Sequence, residues 1–216
     1  MAGAWWVQDA AAALPARLLP ELAGQRVVDL CAAPGGKTAQ LAAAGASVTA
    51  VEVSPKRAER LRANLRRLQL EAEVAVADAR DWRPEQPVSC LLLDAPCTAT
   101  GTIRRHPDIA RHRTPADVAR LAGLQRQLLA AAAGMLAPGG ALVYASCSLQ
   151  PEEGAGLIAA ALADGLPLER WPVAPDELGG LAVELTAAGE VRTLPCHLAG
   201  QGGLDGFFIA RLRARG

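Results

Sequence analysis

Short apolar runs that stop at a polar or turn residue alternate along this chain with stretches whose apolar positions recur at helical spacing. "RVVDLCA" is a β-branched run, followed by the loop "APGGKT" and a helical stretch "AQLAAAGA" that Gly45 closes. "SVTAVEVS" predicts a second strand. Ser54 and Pro55 then read as N-cap and first helical position of "PKRAERLRANLRRLQL", in which Ala58, Leu61, Leu65 and Leu68 share one face. "AEVAVADA" and "VSCLLLDA" predict the third and fourth strands, and "ALVYASC" the fifth. A long helix lies between the last two, opened by Thr114-Pro115 and ended at Pro138-Gly139-Gly140. Another helix follows over "PEEGAGLIAAALAD". Parallel strands need crossover connections, so the alternation predicts a mostly parallel sheet with helices on both faces. The tail pieces "LPLERWPV", "EVRTLP" and "DGFFIARLR" are strand-like and are expected to finish the sheet with an antiparallel edge. Residues 1–24 read as a helical lead-in with no core of their own, and 25–216 as one α/β domain.

Composition narrows this picture. Of 216 residues, 51% are hydrophobic and 20% charged, enough for one large core and too apolar for global disorder. Lys and Arg number 22 against 22 Asp and Glu, which excludes holding nucleic acid by bulk charge while leaving room for a local basic face. Cys31, Cys90, Cys97, Cys147 and Cys196 form no CxxC pair, which argues against a zinc ribbon or a thioredoxin-like motif. Cys31 and Cys90 read as small core groups. His106, His112 and His197 have no ligand spacing, so no metal is expected. The opening "MAGAWWVQDAAAALPARLLP" lacks a basic n-region and a continuous apolar h-region, and no window spans a bilayer; a cytoplasmic location is expected.

The loop "DLCAAPGGKTAQL" sits where open α/β sheets bind ligands. As a Walker A loop it fails on spacing, because Cys31 stands where GxxxxGK needs glycine. As a dinucleotide loop it fails because its glycines, Gly35 and Gly36, are adjacent. What remains is close backbone approach to a nucleoside without pyrophosphate, as in S-adenosylmethionine enzymes. Glu52 at the end of the second strand and Asp78 after the third suit ribose hydroxyls and an adenine amino group. Cys97 and Cys147 stand at the ends of two further strands, in polar, turn-rich surroundings unlike a core.

Together the stretches "VQDAAA", "DLCAAPGGKTAQLA", "VEVSPKRAERLRANLRRL", "LLLDAPCTATGTIRRHPDI", "LVYASCSLQPEE" and "DGFFIARL" resemble the catalytic domain of RNA cytosine-5 methyltransferases of the RsmB/Fmu/Sun type, in order and over nearly the whole chain. The resemblance implies a Rossmann-like, seven-stranded methyltransferase fold with an antiparallel last strand. It implies S-adenosylmethionine contacts from Cys31, Ala32, Ala33, Pro34, Gly35, Gly36 and Lys37, with Glu52, Arg57, Asp78 and Asp94. The implied substrate is a cytosine in small-subunit ribosomal RNA, with transfer RNA as the alternative substrate. A non-catalytic RNA-binding or assembly module that kept the fold is the alternative from another class. A monomer is expected.

Cytosine carbon 5 is a poor nucleophile, and a thiolate added to carbon 6 makes the ring enamine-like, so covalent catalysis is required. By chemistry alone either cysteine can attack, and a Pro-Cys nucleophile in DNA cytosine methyltransferases favours Cys97. The RNA family implies the reverse: Cys147 attacks, Cys97 assists release, and Asp94 faces ring nitrogen 3. Departures are small: Glu52 replaces the usual Asp, Thr98 the usual Ser, and Ala11 or Ala12 a customary Ser. The family usually carries an N-terminal RNA-binding domain, and here the catalytic motifs begin at once. For RNA contact, Arg104, Arg105 and His106 beside the cysteine loop are favoured over Arg57, Arg60, Arg62, Arg66 and Arg67, which read as a solvated helix face. Trp5 and Trp6 read as packing for the lead-in.

Overall fold

The computed structural model describes residues 3–216. Strands β1 (Arg26–Leu30), β2 (Ser47–Glu52), β3 (Glu73–Val76), β4 (Val88–Asp94) and β5 (Leu136–Ser146) are parallel in the order β3-β2-β1-β4-β5. Strand order therefore reverses between β1 and β4, which opens a crevice above their carboxyl ends. Side chains alternate across β4: Leu91 and Leu93 join one core with Tyr144, and Leu92 joins the other with Val143.

Helices α1 (Ala10–Arg17) and α2 (Gly36–Ala43) cover the second core with Leu14 and Leu41. Helix α3 (Pro55–Leu68) buries Ala58, Leu61, Leu65 and Leu68, the face read from their spacing, and Ser54 Oγ accepts from Arg57 N. A short α4 (Ile109–His112) precedes α5 (Pro115–Ala133), which Thr114 and Asp117 start with a reciprocal capping box. Helices α5 and α6 (Ala155–Ala163) close the first core with Leu128, Leu129 and Ile158. The lead-in is tied down, since Leu14, Leu18 and Leu19 are buried in the second core. No helix among the described residues is long and apolar enough to cross a membrane.

Three features depart from the pattern reading. Helix α5 stops at Ala133, with Gly134 as its cap, and Pro138-Gly139-Gly140 lies inside β5. There Val88 pairs with Leu136 and Cys90 with Ala141, so residues 137–140 bulge out opposite Ser89. The next helix also starts late: Pro151–Glu153 form a 3-10 turn, and Gly154 breaks the run. A Cβ on Gly154 would stand 2.9 Å from Phe208 Cγ, so only glycine passes that ring without a shift. Finally, among the described residues the sheet holds nine strands rather than seven. β6 (Leu168–Arg170), β7 (Glu184–Leu185) and β8 (Val191–Arg192) are short pieces, and β9 (Phe208–Ala214) is antiparallel to β5. β6 and β8 share the outer edge of β9, because Pro172 has no N–H with which to continue the ladder past Trp171.

Candidate active site at the strand tips

Each cysteine is carried by the end of a central strand. β4 finishes at Asp94, and Ala95 N still donates to Ala145 O (2.9 Å), so the loops after β4 and β5 leave the sheet side by side. This sets Cys97 Sγ 3.3 Å from Cys147 Sγ, in hydrogen-bond contact and well beyond the roughly 2.05 Å of a disulfide. The hydrogen bond to Cys147, burial, and charge on Cys147 together push the Cys97 thiol well above the usual range. Either sulfur can donate across this contact. Beside the pair, Lys37 Nζ donates to Asp94 Oδ2 at 2.7 Å. Burial alone would lower the Lys37 pKa, but the Asp94 carboxylate outweighs it and holds the ammonium above its ordinary value. Phe207, from the "DGFF" segment, places its ring centroid 5.3 Å from the same ammonium.

Beneath the thiols lies a polar cluster that inspection of the sequence missed. Glu153 is fully buried, and its carboxylate accepts from Thr98 N (2.9 Å), Gln125 Nε2 (3.0 Å), Ser148 Oγ (2.6 Å) and Thr98 Oγ1. Gln125 Nε2 also donates to Pro96 O, and Tyr144 Oη donates to Gln125 Oε1 and to Glu153 O. Two acids directly after "SCSLQP", facing a glycine break, were the available signal.

The β1–β2 side differs. Its loop runs from Cys31, whose φ of 60° is left-handed, to Gly35 at φ 102°, where a Cβ would meet Leu61 Cδ1 at 2.9 Å. Glu52 is buried and accepts from Ala33 N (3.3 Å) and Ser54 N (3.0 Å), while Arg57 donates to both Glu52 and Ala33 O. Asp78 is gripped by Arg80, whose hydrogen bonds hold its carboxyl below the usual range. A cavity of about 230 Å³ lies between these groups, with Cys31, Val53, Ala79, Pro96, Leu124 and Leu128 as its apolar walls. Apolar walls with two carboxylates at the rim match a nucleoside, which offers a flat ring and hydroxyl donors. Burial, then the charges of Asp94, Glu52 and Asp29, push the Cys31 thiol up to about 12, so Cys31 is a wall and no nucleophile. Cys90 is a core residue pointing at Pro20 O. Asp29, at the foot of the loop, bonds Thr38 Oγ1 at 2.6 Å, and burial raises its pKa to about 7. A larger cavity of about 710 Å³, lined by Ser47, Thr49, Arg66 and Glu73, lies at the opposite ends of β2 and β3 and shares no residue with the thiol loops.

Arg104 and Arg105, after the cysteine loop, are paired with carboxylates of this chain. Arg105 grips the buried Asp205 through Nε (2.9 Å) and Nη2 (2.5 Å). Arg104 reaches Asp9 (2.8 Å) and Asp205 (3.4 Å), and Asp205 N donates to Asp9. The "VQD", "RRH" and "DGFF" segments are therefore one charged network, from which His106 stands apart, exposed. Arg113 Nε donates to Thr98 O at 2.9 Å.

Residues 16–213 match the family described as "16S rRNA methyltransferase RsmB/F". The chain belongs to that family. Among curated RsmB/F relatives, ribosomal RNA small subunit methyltransferase B of Sodalis glossinidius is 46% identical over 95% of this chain and 46% of its own. That of Pseudomonas putida is 47% identical with the same coverage. The chain thus spans just under half the length of these relatives. Among solved structures, NSun6 from Pyrococcus horikoshii with SFG superposes with a TM-score of 0.82 at 29% identity, over 97% of this chain and 53% of that one. A methyltransferase homologue from the same organism gives 0.74 at 32%, over 97% and 68%. The Rossmann-like methyltransferase fold of the RsmB/F family is the architecture described above.

Proposed function

We propose that this chain transfers a methyl group from S-adenosylmethionine to carbon 5 of a cytosine in small-subunit ribosomal RNA. The observation that carries the reading is the pair of thiols 3.3 Å apart, in hydrogen-bond contact, beside the Lys37–Asp94 ion pair and the apolar-walled cavity bordered by Glu52 and Asp78. S-adenosylmethionine, when bound, supplies a methyl group on a sulfonium sulfur. The Cys31–Lys37 loop, Glu52 and Asp78 hold its nucleoside, with Arg57 bracing the loop.

Cys147, as thiolate, adds to carbon 6 of the flipped cytosine, forming a C–S bond and placing the displaced electron pair on the ring. Lys37 and Asp94 stabilise the proton and charge at ring nitrogen 3. Carbon 5 then takes the methyl group. For release, Cys97 gives its proton to the departing Cys147 sulfur and takes up the proton of carbon 5. The C6–S bond breaks, 5-methylcytosine leaves, and the proton lost by the ring ends on the thiol pair and passes to water. Reduced thiols in this role fit the cytoplasm.

Contact with RNA phosphate falls to exposed cations that have no carboxylate partner among the described residues. Lys56, Arg60 and Arg67 form such a stripe along α3, and Arg111 flanks the thiol loop, with the exposed His106 ring beside it. Arg104 and Arg105 hold the loop in shape instead.

The test is methyl transfer from labelled S-adenosylmethionine to total RNA, with the product cytosine mapped by bisulfite sequencing. Label in small-subunit RNA is expected; label only in transfer RNA, or none, overturns the reading. Cys147→Ala abolishes both transfer and trapping on 5-fluorocytosine RNA, whereas Cys97→Ala leaves a stable RNA–protein adduct. The opposite pattern reverses the two thiols.

A further inference from the structure

Cys147 and Cys97 are held by different means. The Cys147 loop has several anchors: Gly101 N donates to Cys147 O (3.0 Å), and Arg192 donates to Ser148 O (2.9 Å) and Leu149 O (2.8 Å). The neighbours of Cys97 take most of their side-chain bonds from Glu153, beside Arg113 on Thr98 O and Tyr144 on Gln125. Thr98 gives both its N–H and its hydroxyl to Glu153, and Pro96 O is held by Gln125, itself fixed by Glu153. Ser148, next to Cys147, gives its hydroxyl to the same carboxylate. One buried carboxylate therefore ties residue 98 to residue 148, each adjacent to a thiol. Thr98 N and Gln125 Nε2 can only donate, and both close on Oε1, while the hydroxyls of Thr98 and Ser148 close on Oε2, so the carboxylate accepts at both ends and its charge strengthens all four bonds. Glutamine in its place would have to reverse both hydroxyls to accept from its NH₂ and would lose the charge that strengthens these bonds.

We propose that Glu153 is the positioning residue that keeps the two thiols in hydrogen-bond contact, and that its chief effect falls on product release. It touches neither base nor cofactor. Losing it removes both side-chain-mediated bonds of Thr98 and one support of Gln125, leaving Arg113 on Thr98 O, whereas the Cys147 loop loses one bond, at Ser148, and keeps Gly101 and Arg192. Addition to carbon 6 should then survive better than elimination. The inference rests on the covalent mechanism proposed above.

The test compares Glu153→Gln with wild type in two measurements. With ordinary cytidine-containing small-subunit RNA and S-adenosylmethionine, the variant should accumulate a denaturant-stable RNA–protein adduct while turnover falls on the order of 10²-fold, the scale of a small misplacement of a reacting group. Adduct formation and turnover falling in equal proportion would show a role in stability alone and overturn the proposal. The second measurement needs no RNA. A diazene oxidant converts the Cys97–Cys147 pair to a disulfide, its N=N bond taking two electrons and both thiol protons to become a hydrazine. The variant should form this bond at least about tenfold more slowly, since exchange requires thiols in contact. An unchanged rate in folded protein also overturns the proposal. If Glu153→Gln does not fold, Ser148→Ala decides, since it removes one of the four contacts and should shift both readouts in the same direction by less. A wild-type chain that never labels RNA sinks the methyltransferase reading, whereas the disulfide rate still decides the clasp.

Discussion

The two halves of the strand-tip crevice are built on opposite plans. At β4 and β5 the polar groups around the thiols satisfy one another: Glu153 takes four donors, and Lys37 is paired with Asp94. Little there is left to rearrange, and the two sulfur atoms are the reactive groups that remain. At β1 to β3 the carboxylates face a cavity and are partnered by arginines with one end in water, Arg57 53% and Arg80 44% exposed. The partly exposed Arg80–Asp78 pair exchanges for a ligand's amino group at little cost, because exposed ion pairs hold weakly, and Arg57 can withdraw to water from Glu52, which keeps its backbone donors. One half is preorganised for bond-making, where fixed dipoles and charges cost no reorganisation. The other is arranged for a molecule that must enter and leave each cycle.

If that contrast is right, substitutions in the two halves should separate by kinetic parameter. The largest effect belongs to the thiol half, where Asp94→Ala removes the partner of Lys37 and the group facing ring nitrogen 3. Turnover at saturating substrates should drop on the order of 10²- to 10⁴-fold, and cofactor affinity by much less. Equal losses in both would erase the distinction. Next comes Glu52→Ala in the cofactor half. Removing charge-assisted hydrogen bonds to a ribose should weaken binding of S-adenosylmethionine about 10- to 100-fold by calorimetry, with turnover at saturation nearly kept. An unchanged dissociation constant would mean that Glu52 serves only to brace Ala33 and Ser54.

The same contrast explains what the sequence disclosed. Strand runs and the Ala58–Leu68 face of α3 are local patterns, and they appear in the structure where the pattern places them. Cys97 and Cys147 stood out because each follows an apolar run into a turn. Their 3.3 Å separation was not legible, since it depends on β4 and β5 pairing across 50 residues. Glu153 was hidden for the same reason: its partners lie at positions 98, 125 and 148, and no local periodicity joins them. Its inward turn follows from Gly154 breaking a run that reads as one helix. The 137–140 bulge was likewise masked, because Pro-Gly-Gly after a helix looks like a stop and not like an excursion within a strand.

Charge shows the limit most sharply, and it supplies the smallest effect. Arg104 and Arg105 adjoin the thiol loop and read as RNA ligands, yet their guanidinium groups close on Asp9 and on Asp205, whose side chain is 2% exposed. Arg60 and Arg67 read as part of a plain solvated face, yet with Lys56 they recur along one side of α3 without a carboxylate partner among the described residues. The two groups should answer two measurements in opposite ways. Arg105→Ala strips the buried Asp205 of its bidentate partner and should cost about 1–2 kcal/mol of stability, the Arg side being partly solvated, in chemical denaturation. It should leave the salt dependence of RNA binding where it was. The triple variant Lys56→Gln, Arg60→Gln, Arg67→Gln should keep stability within about 0.5 kcal/mol, as exposed substitutions do. Its plot of log affinity against log salt should flatten by up to about 2, at roughly 0.7 per phosphate contact on single-stranded RNA. A flattened slope in Arg105→Ala with none in the triple variant would return the RNA surface to the thiol loop and leave α3 a solvated helix.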